Sequence, residues 1–213
     1  VIGFIEGNDP ILKNKIIILG AHYDHLGVRE GSIYNGADDN ASGTAALLEI
    51  AEKVKANQKL LKRSILLIAF GAEEQGLLGS AYFVDHPTIP LDSIKLMINM
   101  DMVGHLNEEN HVYMGGAGTF PGGMQLMDSL GIPNQVKPIV HAGSVAGSDH
   151  VSFYNKGISV LGIHTGGHDH YHKPTDDIEN LNLDGEVKVL NYIYSALMAI
   201  ATSKREMKFI PQD

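Results

Sequence analysis

Four apolar runs carry no alternating polar positions: KIIILGAH (15–22), SILLIAFGA (64–72), IKLMINM (94–100) and ISVLGIHT (158–165). A strand wetted on one face alternates apolar with polar residues. A run without alternation is buried on both faces, which is the mark of a mostly parallel sheet covered by helices. Helix-patterned segments separate the runs. In SGTAALLEIAEKVKA (42–56), Ala46, Leu47, Ile50, Ala51 and Val54 fall at helical spacing and Ser42 is the expected N-cap. LLGSAYFVDH (77–86) and GGMQLMDSLG (122–131) read as shorter helices. DGEVKVLNYIYSALMAIATS (184–203) reads as a long one, with Val187, Leu190, Ile193, Tyr194 and Leu197 on one stripe. HVYMGG (111–116) is a candidate further strand. Strands joined through helices require crossovers. The predicted architecture is therefore an α/β fold, a three-layer α/β/α sandwich on a mostly parallel mixed sheet.

A chain of 213 residues without a repeat, a linker or a low-complexity tract fits one domain over 1–213. It opens directly on a strand-like VIGFIEG, so removal of an upstream segment from a longer precursor is expected. The 16 basic and 25 acidic residues form no basic stripe, and nucleic acid is not an expected partner. No apolar stretch approaches the roughly 20 residues that span a bilayer, so no membrane segment is expected. The absence of cysteine excludes disulfides, thiolate zinc sites and a cysteine nucleophile. The chain also lacks a G-x-S-x-G elbow and a Walker-type loop.

Most of the unusual polar residues lie at or after the ends of the runs. His22 and Asp24 end the first, and GADDNASG (36–43) precedes the first helix. AEEQG (72–76) follows the second run, Asp101 the third, and HTGGHDHYHKPTDD (164–177) the last. SDH (148–150) precedes a short helix. The C-terminal ends of parallel strands share one edge, where ligands bind in open α/β sheets. Taken singly, an Asp-Asp-Asn segment is a turn, paired glutamates are a solvated helix start, and HDHYH is an exposed loop. Asp101 resists such a reading, because a carboxylate in an apolar stretch needs a partner or a metal. Imidazole and carboxylate donors without sulfur suit zinc, and also manganese or cobalt. Several carboxylates with few histidines point to two ions sharing one carboxylate, a hydrolytic design.

These motifs resemble, in order and spacing, the dizinc aminopeptidases of metallopeptidase family twenty-eight, relatives of bacterial leucyl aminopeptidases, from about residue 15 to residue 180. The resemblance implies a zinc-dependent exopeptidase catalytic domain holding two zinc ions per chain. AHYDHLG makes His22 a ligand and Asp24 a carboxylate that orients a ligand. GADDNASG makes Asp39, rather than Asp38, the bridging carboxylate, followed by a cis peptide to Asn40. AEEQGLLGS gives Glu73 as general base and Glu74 as ligand. NMDMVG supplies Asp101, and YHKPTDD supplies His172, with Tyr171 stabilising the oxyanion. One ion is then held by His22, Asp39 and Asp101, the other by Asp39, Glu74 and His172. A water between them attacks the scissile carbonyl, and Glu73 carries its proton to the leaving amine.

The implied substrates are peptides with a free N-terminus, and export to the periplasm or the outside is the family's habit. The same scaffold also carries carboxypeptidases and glutaminyl cyclases. Only Arg29, Arg63 and Arg205 are available as forks for a substrate carboxylate, and none lies in a motif. That favours the aminopeptidase, whose substrate ammonium needs acidic partners such as Glu73, Asp101 and Asp149. A lysine as carboxylate partner is left open, as are the roles of His164, His168 and His170 and the side-chain specificity. Retention of Glu73 and all five ligands disfavours a non-catalytic relative.

Overall fold

A computed structural model describes residues 1–212. The main sheet has seven strands: β1 (Ile2–Ile5), β2 (Ile16–His22), β5 (Ile65–Phe70), β6 (Ile94–Met100), β7 (His111–Gly115), β8 (Lys137–Val140) and β9 (Ser159–His164). Their order is β1-β5-β2-β6-β9-β7-β8. The four apolar runs form the inner ladder β5-β2-β6-β9, all parallel. β1 joins β5 antiparallel, and β7, itself parallel to β8, joins β9 antiparallel. A separate hairpin, β3 (Gly27–Arg29) with β4 (Ser32–Tyr34), rises beyond the C-terminal end of β2.

Burial explains the uninterrupted runs. All seven residues of β2 are buried. Ile17, Leu19 and Ala21 face one core, shared with α1 (Gly43–Ala56) and α5 (Leu183–Ala201). Ile16 and Ile18 face a second core, with Phe83 of α2 (Leu78–Asp85) and Phe153 of α4 (His150–Tyr154). A strand between two helical layers has no wet face, so no polar alternation survives in its sequence. α3 (Gly123–Ser129) packs Met127 into the first core. This is the expected three-layer α/β/α arrangement.

Two local expectations are corrected. Ser42 does not cap α1: it is already in right-handed helical geometry, and its hydroxyl donates to the backbone and side chain of Asp38. Asn40 takes the capping role, its Oδ1 accepting from Gly43 N–H at 3.0 Å, because the chain turns through the non-helical residues Asp39 and Asn40 immediately before the helix. On α5 the buried stripe is Val189, Tyr192, Ile193, Ala196, Leu197 and Ile200, whereas Val187 is 58% exposed. Ile193 and Leu197 belong to both stripes, and Leu190 and Tyr194 pack half-buried against the same core, so only Val187 falls outside it. Burying Gly185 and Glu186 turns the helix so that Val187 faces outward. The short strands β3, β4 and β8 had no clear apolar pattern from which to read them.

Candidate metal centre

Each functional side chain leaves the sheet at the same edge. β2 ends on His22, the chain after β5 turns into Glu73 and Glu74, and Asp101 directly follows β6. The turn before α1 supplies Asp39, and the loop after β9 supplies Tyr171 and His172. Parallel strands in register bring these ends together: His22 pairs with Phe70, and Gly20 with Asn99.

Asp39 lies at the centre. Its Oδ1 is 3.4 Å from His22 Nε2, which is also 3.3 Å from Asp101 Oδ1. Its Oδ2 is 3.1 Å from His172 Nε2, which is 3.4 Å from Glu74 Oε2. The two oxygens of one carboxylate thus face two separate donor groups. Asp38 points away: its carboxylate accepts from Gly104 N–H at 2.7 Å and lies 3.1 Å from His168 Nε2. Asp176 fixes this choice, accepting from the N–H groups of both Asp38 and Asp39. The Asp39–Asn40 peptide is cis.

The surrounding shell holds the donors in place. His22 Nδ1 donates to the carbonyl of Asp24 at 3.2 Å, which leaves Nε2 directed at Asp39 and Asp101. The Asp24 carboxylate lies 3.7 Å from His22 Nδ1 and accepts from the N–H groups of Glu73 and Glu74, at 3.1 and 3.3 Å. It therefore orients the Glu73–Glu74 turn as well as lying beside the imidazole. Three residues at the site, Ala72, Met102 and His172, have φ between 53° and 59°. A non-glycine residue in this left-handed region is strained by roughly 1–2 kcal/mol, and such strain concentrates at functional sites.

The electrostatics are those of crowded acids. Burial, then the neighbouring Asp101 and Glu74, push Asp39 up to about 7. Burial, with Asp101, Asp149 and Glu74 adding to it, pushes Glu73 up to about 8. Burial alone would lower the His22 imidazole, but its hydrogen bond to Asp101 and the surrounding carboxylates raise it to about 10. Burial and the same acids raise the Tyr171 hydroxyl to about 12, so it is a neutral donor at physiological pH. No lysine or arginine pairs with these carboxylates among the described residues.

The donor set fits divalent metal. His22, Glu73 and Asp101 each present a ligand atom within 4.8 Å of the others, as do His25, Asp39 and Glu74. Two donors of one zinc ion, each roughly 2.0–2.2 Å from it, lie about 3–3.5 Å apart, close to the separations around Asp39. Buried atoms without hydrogen-bond partners, His25 Nδ1 and Glu74 Oε1, lie in the same cluster.

A cavity of about 220 Å³ opens beside it. Tyr171 and His172 form one side, with their rings stacked at 3.8 Å. Asn99, His150, Gly162 and His164 are among the other walls. His168 is drawn off to Asp38 and stacks on His105 at 4.3 Å. His170 Nδ1 lies 3.0 Å from Thr175 Oγ1, on an exposed loop. Asp149 is fully buried behind the cluster, where burial raises it to about 6. The sequence reading gave His25 no role; its only signal was its place beside Asp24.

A mixed sheet of this order, with clustered imidazoles and carboxylates at its C-terminal edge, defines the class of zinc-peptidase-like α/β proteins. The Peptidase family M28 model matches residues 1–197, and the chain belongs to that family. Aminopeptidase YwaD of Bacillus subtilis is 30% identical over 206 residues, spanning 92% of this chain and 43% of that protein. Leucine aminopeptidase 2 of Trichophyton rubrum is 31% identical over 179 residues, 78% of this chain and 33% of its own length. Among solved structures, a zinc aminopeptidase from Bacillus subtilis superposes with a TM-score of 0.78 at 27% identity, covering 98% of this chain and 52% of that one. A Porphyromonas gingivalis glutaminyl cyclase shares the fold, with a TM-score of 0.76 at 23% identity and coverage of 93% and 76%. The chain thus spans about a third to a half of the length of the aminopeptidases it matches.

Proposed function

We propose that residues 1–213 form the catalytic domain of a zinc-dependent aminopeptidase that hydrolyses the N-terminal peptide bond of peptides. One observation carries the reading: Asp39 sits between two donor groups in a cavity whose lining includes acidic residues and no lysine or arginine. His22, Asp39 and Asp101 hold one zinc ion, and Asp39, Glu74 and His172 the other. Bound zinc supplies a Lewis acid for the carbonyl and lowers the pKa of water toward about 7.

The protein's own groups do the rest. Glu73, raised by burial and by its acidic neighbours, accepts the proton of the attacking water and returns it to the leaving amine. The Tyr171 hydroxyl, held neutral, donates to the developing oxyanion. The substrate ammonium meets Glu73 and Asp101, both on the cavity wall. A carboxypeptidase needs a cationic fork for the substrate carboxylate. Arg63 and Arg205 are remote from the cavity: Arg63 donates to the carbonyl of Arg205, and Arg205 to those of Pro121 and Gly122. Arg29 sits on the exposed hairpin.

A leucine anilide, its N-acetylated form, a C-terminally free N-blocked peptide and a glutaminyl peptide separate the readings. The expected result is hydrolysis of free-amine substrates alone. Equal turnover of the acetylated anilide would overturn the requirement for an amine. Release of C-terminal residues would replace the reading with a carboxypeptidase, and loss of ammonia from the glutaminyl peptide without hydrolysis would replace it with a cyclase.

A further inference from the structure

His25 is the one imidazole in the cluster that the ligand assignment above leaves unused. Its side chain is 8% exposed, and neither ring nitrogen has a hydrogen-bond partner. Nδ1 lies 2.8 Å from Glu74 Oε1 and 3.8 Å from Asp39 Oδ2. At 2.8 Å an aligned N–H would donate to the carboxylate, yet Oε1 is also without a hydrogen bond. The two atoms are close but not directed at each other. Two ligands of one ion that meet it at about 90°, as in a shell expanded from four to five, lie about 2.8–3.1 Å apart.

The ring is held in a socket. Gly36 has φ of +66°, and a Cβ there would lie 2.5 Å from the His25 ring. Any side chain at position 36 would displace the imidazole. On its other side the ring meets His172 edge-on, with centroids 5.9 Å apart. His25 and His172 thus flank the same pair of carboxylates, Asp39 and Glu74, from two directions.

We infer that His25 Nδ1 is a fourth protein ligand of the second zinc ion, beside Asp39, Glu74 and His172. This rests on the two-ion reading above. It gives the ions unequal sets: a single imidazole, His22, at the first and two at the second. Coordination satisfies the buried Nδ1 and leaves the ring proton on Nε2, the one ring nitrogen then without a partner. A buried imidazole with no partner, by contrast, forgoes hydrogen bonds it would make in water.

The test uses the whole chain loaded with zinc, as wild type and as His25→Gln and His25→Leu. The two variants differ in polarity, so a shared effect is not one of shape alone, and circular dichroism checks that both are folded. Zinc K-edge absorption counts imidazoles, and titration against a chromophoric chelator gives the two affinities. Three imidazoles shared by two ions are expected in the wild type and two in each variant. One affinity should fall by more than the roughly 10–100-fold of an outer partner, with the other unchanged. Two imidazoles in wild type and variants alike would overturn the inference and leave His25 only orienting Glu74. If the wild type held a single ion, the two-ion reading would fail separately. The His25 inference would then be decided by whether that ion loses an imidazole in the variants.

Discussion

At the scale of single residues, mutation separates the roles proposed for the adjacent glutamates. Glu73→Gln keeps size but removes the proposed proton acceptor. Turnover should fall at least about 10²–10⁴-fold, with two zinc ions still bound by elemental analysis. Glu74→Gln removes a charged donor 3.4 Å from His172, so zinc affinity should drop and added zinc should restore part of the activity. The reverse pattern would exchange their roles. Asp24→Ala releases the N–H groups of both glutamates. A loss of about 10–100-fold in metal affinity or activity is expected, measured with the same titration. His22, Glu73, Glu74 and Asp101 were legible because each stands where an apolar run stops, whereas Asp39 and His172 were reached only through the motifs GADDNASG and YHKPTDD. His25 was not legible: its role depends on a glycine eleven positions later and on a carboxylate from another strand. The fate of His168 was hidden for the same reason, since only the folded turn shows that Asp38 takes it.

At the scale of elements, the inner strands were readable because burial on both faces erases polar alternation over whole runs. Ser42 misled because a capping residue type sits two residues too late: the kink at Asp39 and Asn40 moves the cap back to Asn40. The stripe of α5 was displaced because a 3.6-residue pattern in a largely apolar helix fits more than one face, and the burial of Glu186 selects the other one. β9 depends on its glycine. A Cβ at Gly162 would lie 2.5 Å from the buried His150 ring, so Gly162→Ala should destabilise the fold by about 1–3 kcal/mol, read as a lower denaturation midpoint at unchanged slope. On α5, burial and the nearby Asp38 raise Glu186 to about 7 from its usual 4.5. The folded state then binds the proton more tightly than the unfolded one. Its penalty is absent below the unfolded pKa, grows as pH rises from about 4.5 to 7, and is full above that. Glu186→Gln should therefore stabilise the protein by roughly 1–3 kcal/mol at pH 8 and by little at pH 4. An equal effect at both pH values would remove the electrostatic explanation.

At the scale of the whole molecule, the same edge that gathers the donors also gathers their repulsion. Buried Asp39 and half-buried Glu73 are pushed up to about 7 and 8 with no lysine or arginine beside them. Divalent ions relieve that repulsion, so metal and fold are linked. Each site held at a hundred times its Kd adds about 2.7 kcal/mol, and a chain of this size shifts its Tm by about 2–4 °C per kcal/mol. Chelation should lower Tm by about 10 °C or more, and zinc should restore it. Whether Asp39 bridges two ions is read out by diffraction from zinc-loaded crystals above and below the zinc edge. Two anomalous peaks about 3.5–4 Å apart are expected, one against each oxygen of Asp39. A single peak, or two peaks that do not share Asp39, would contradict the bridge.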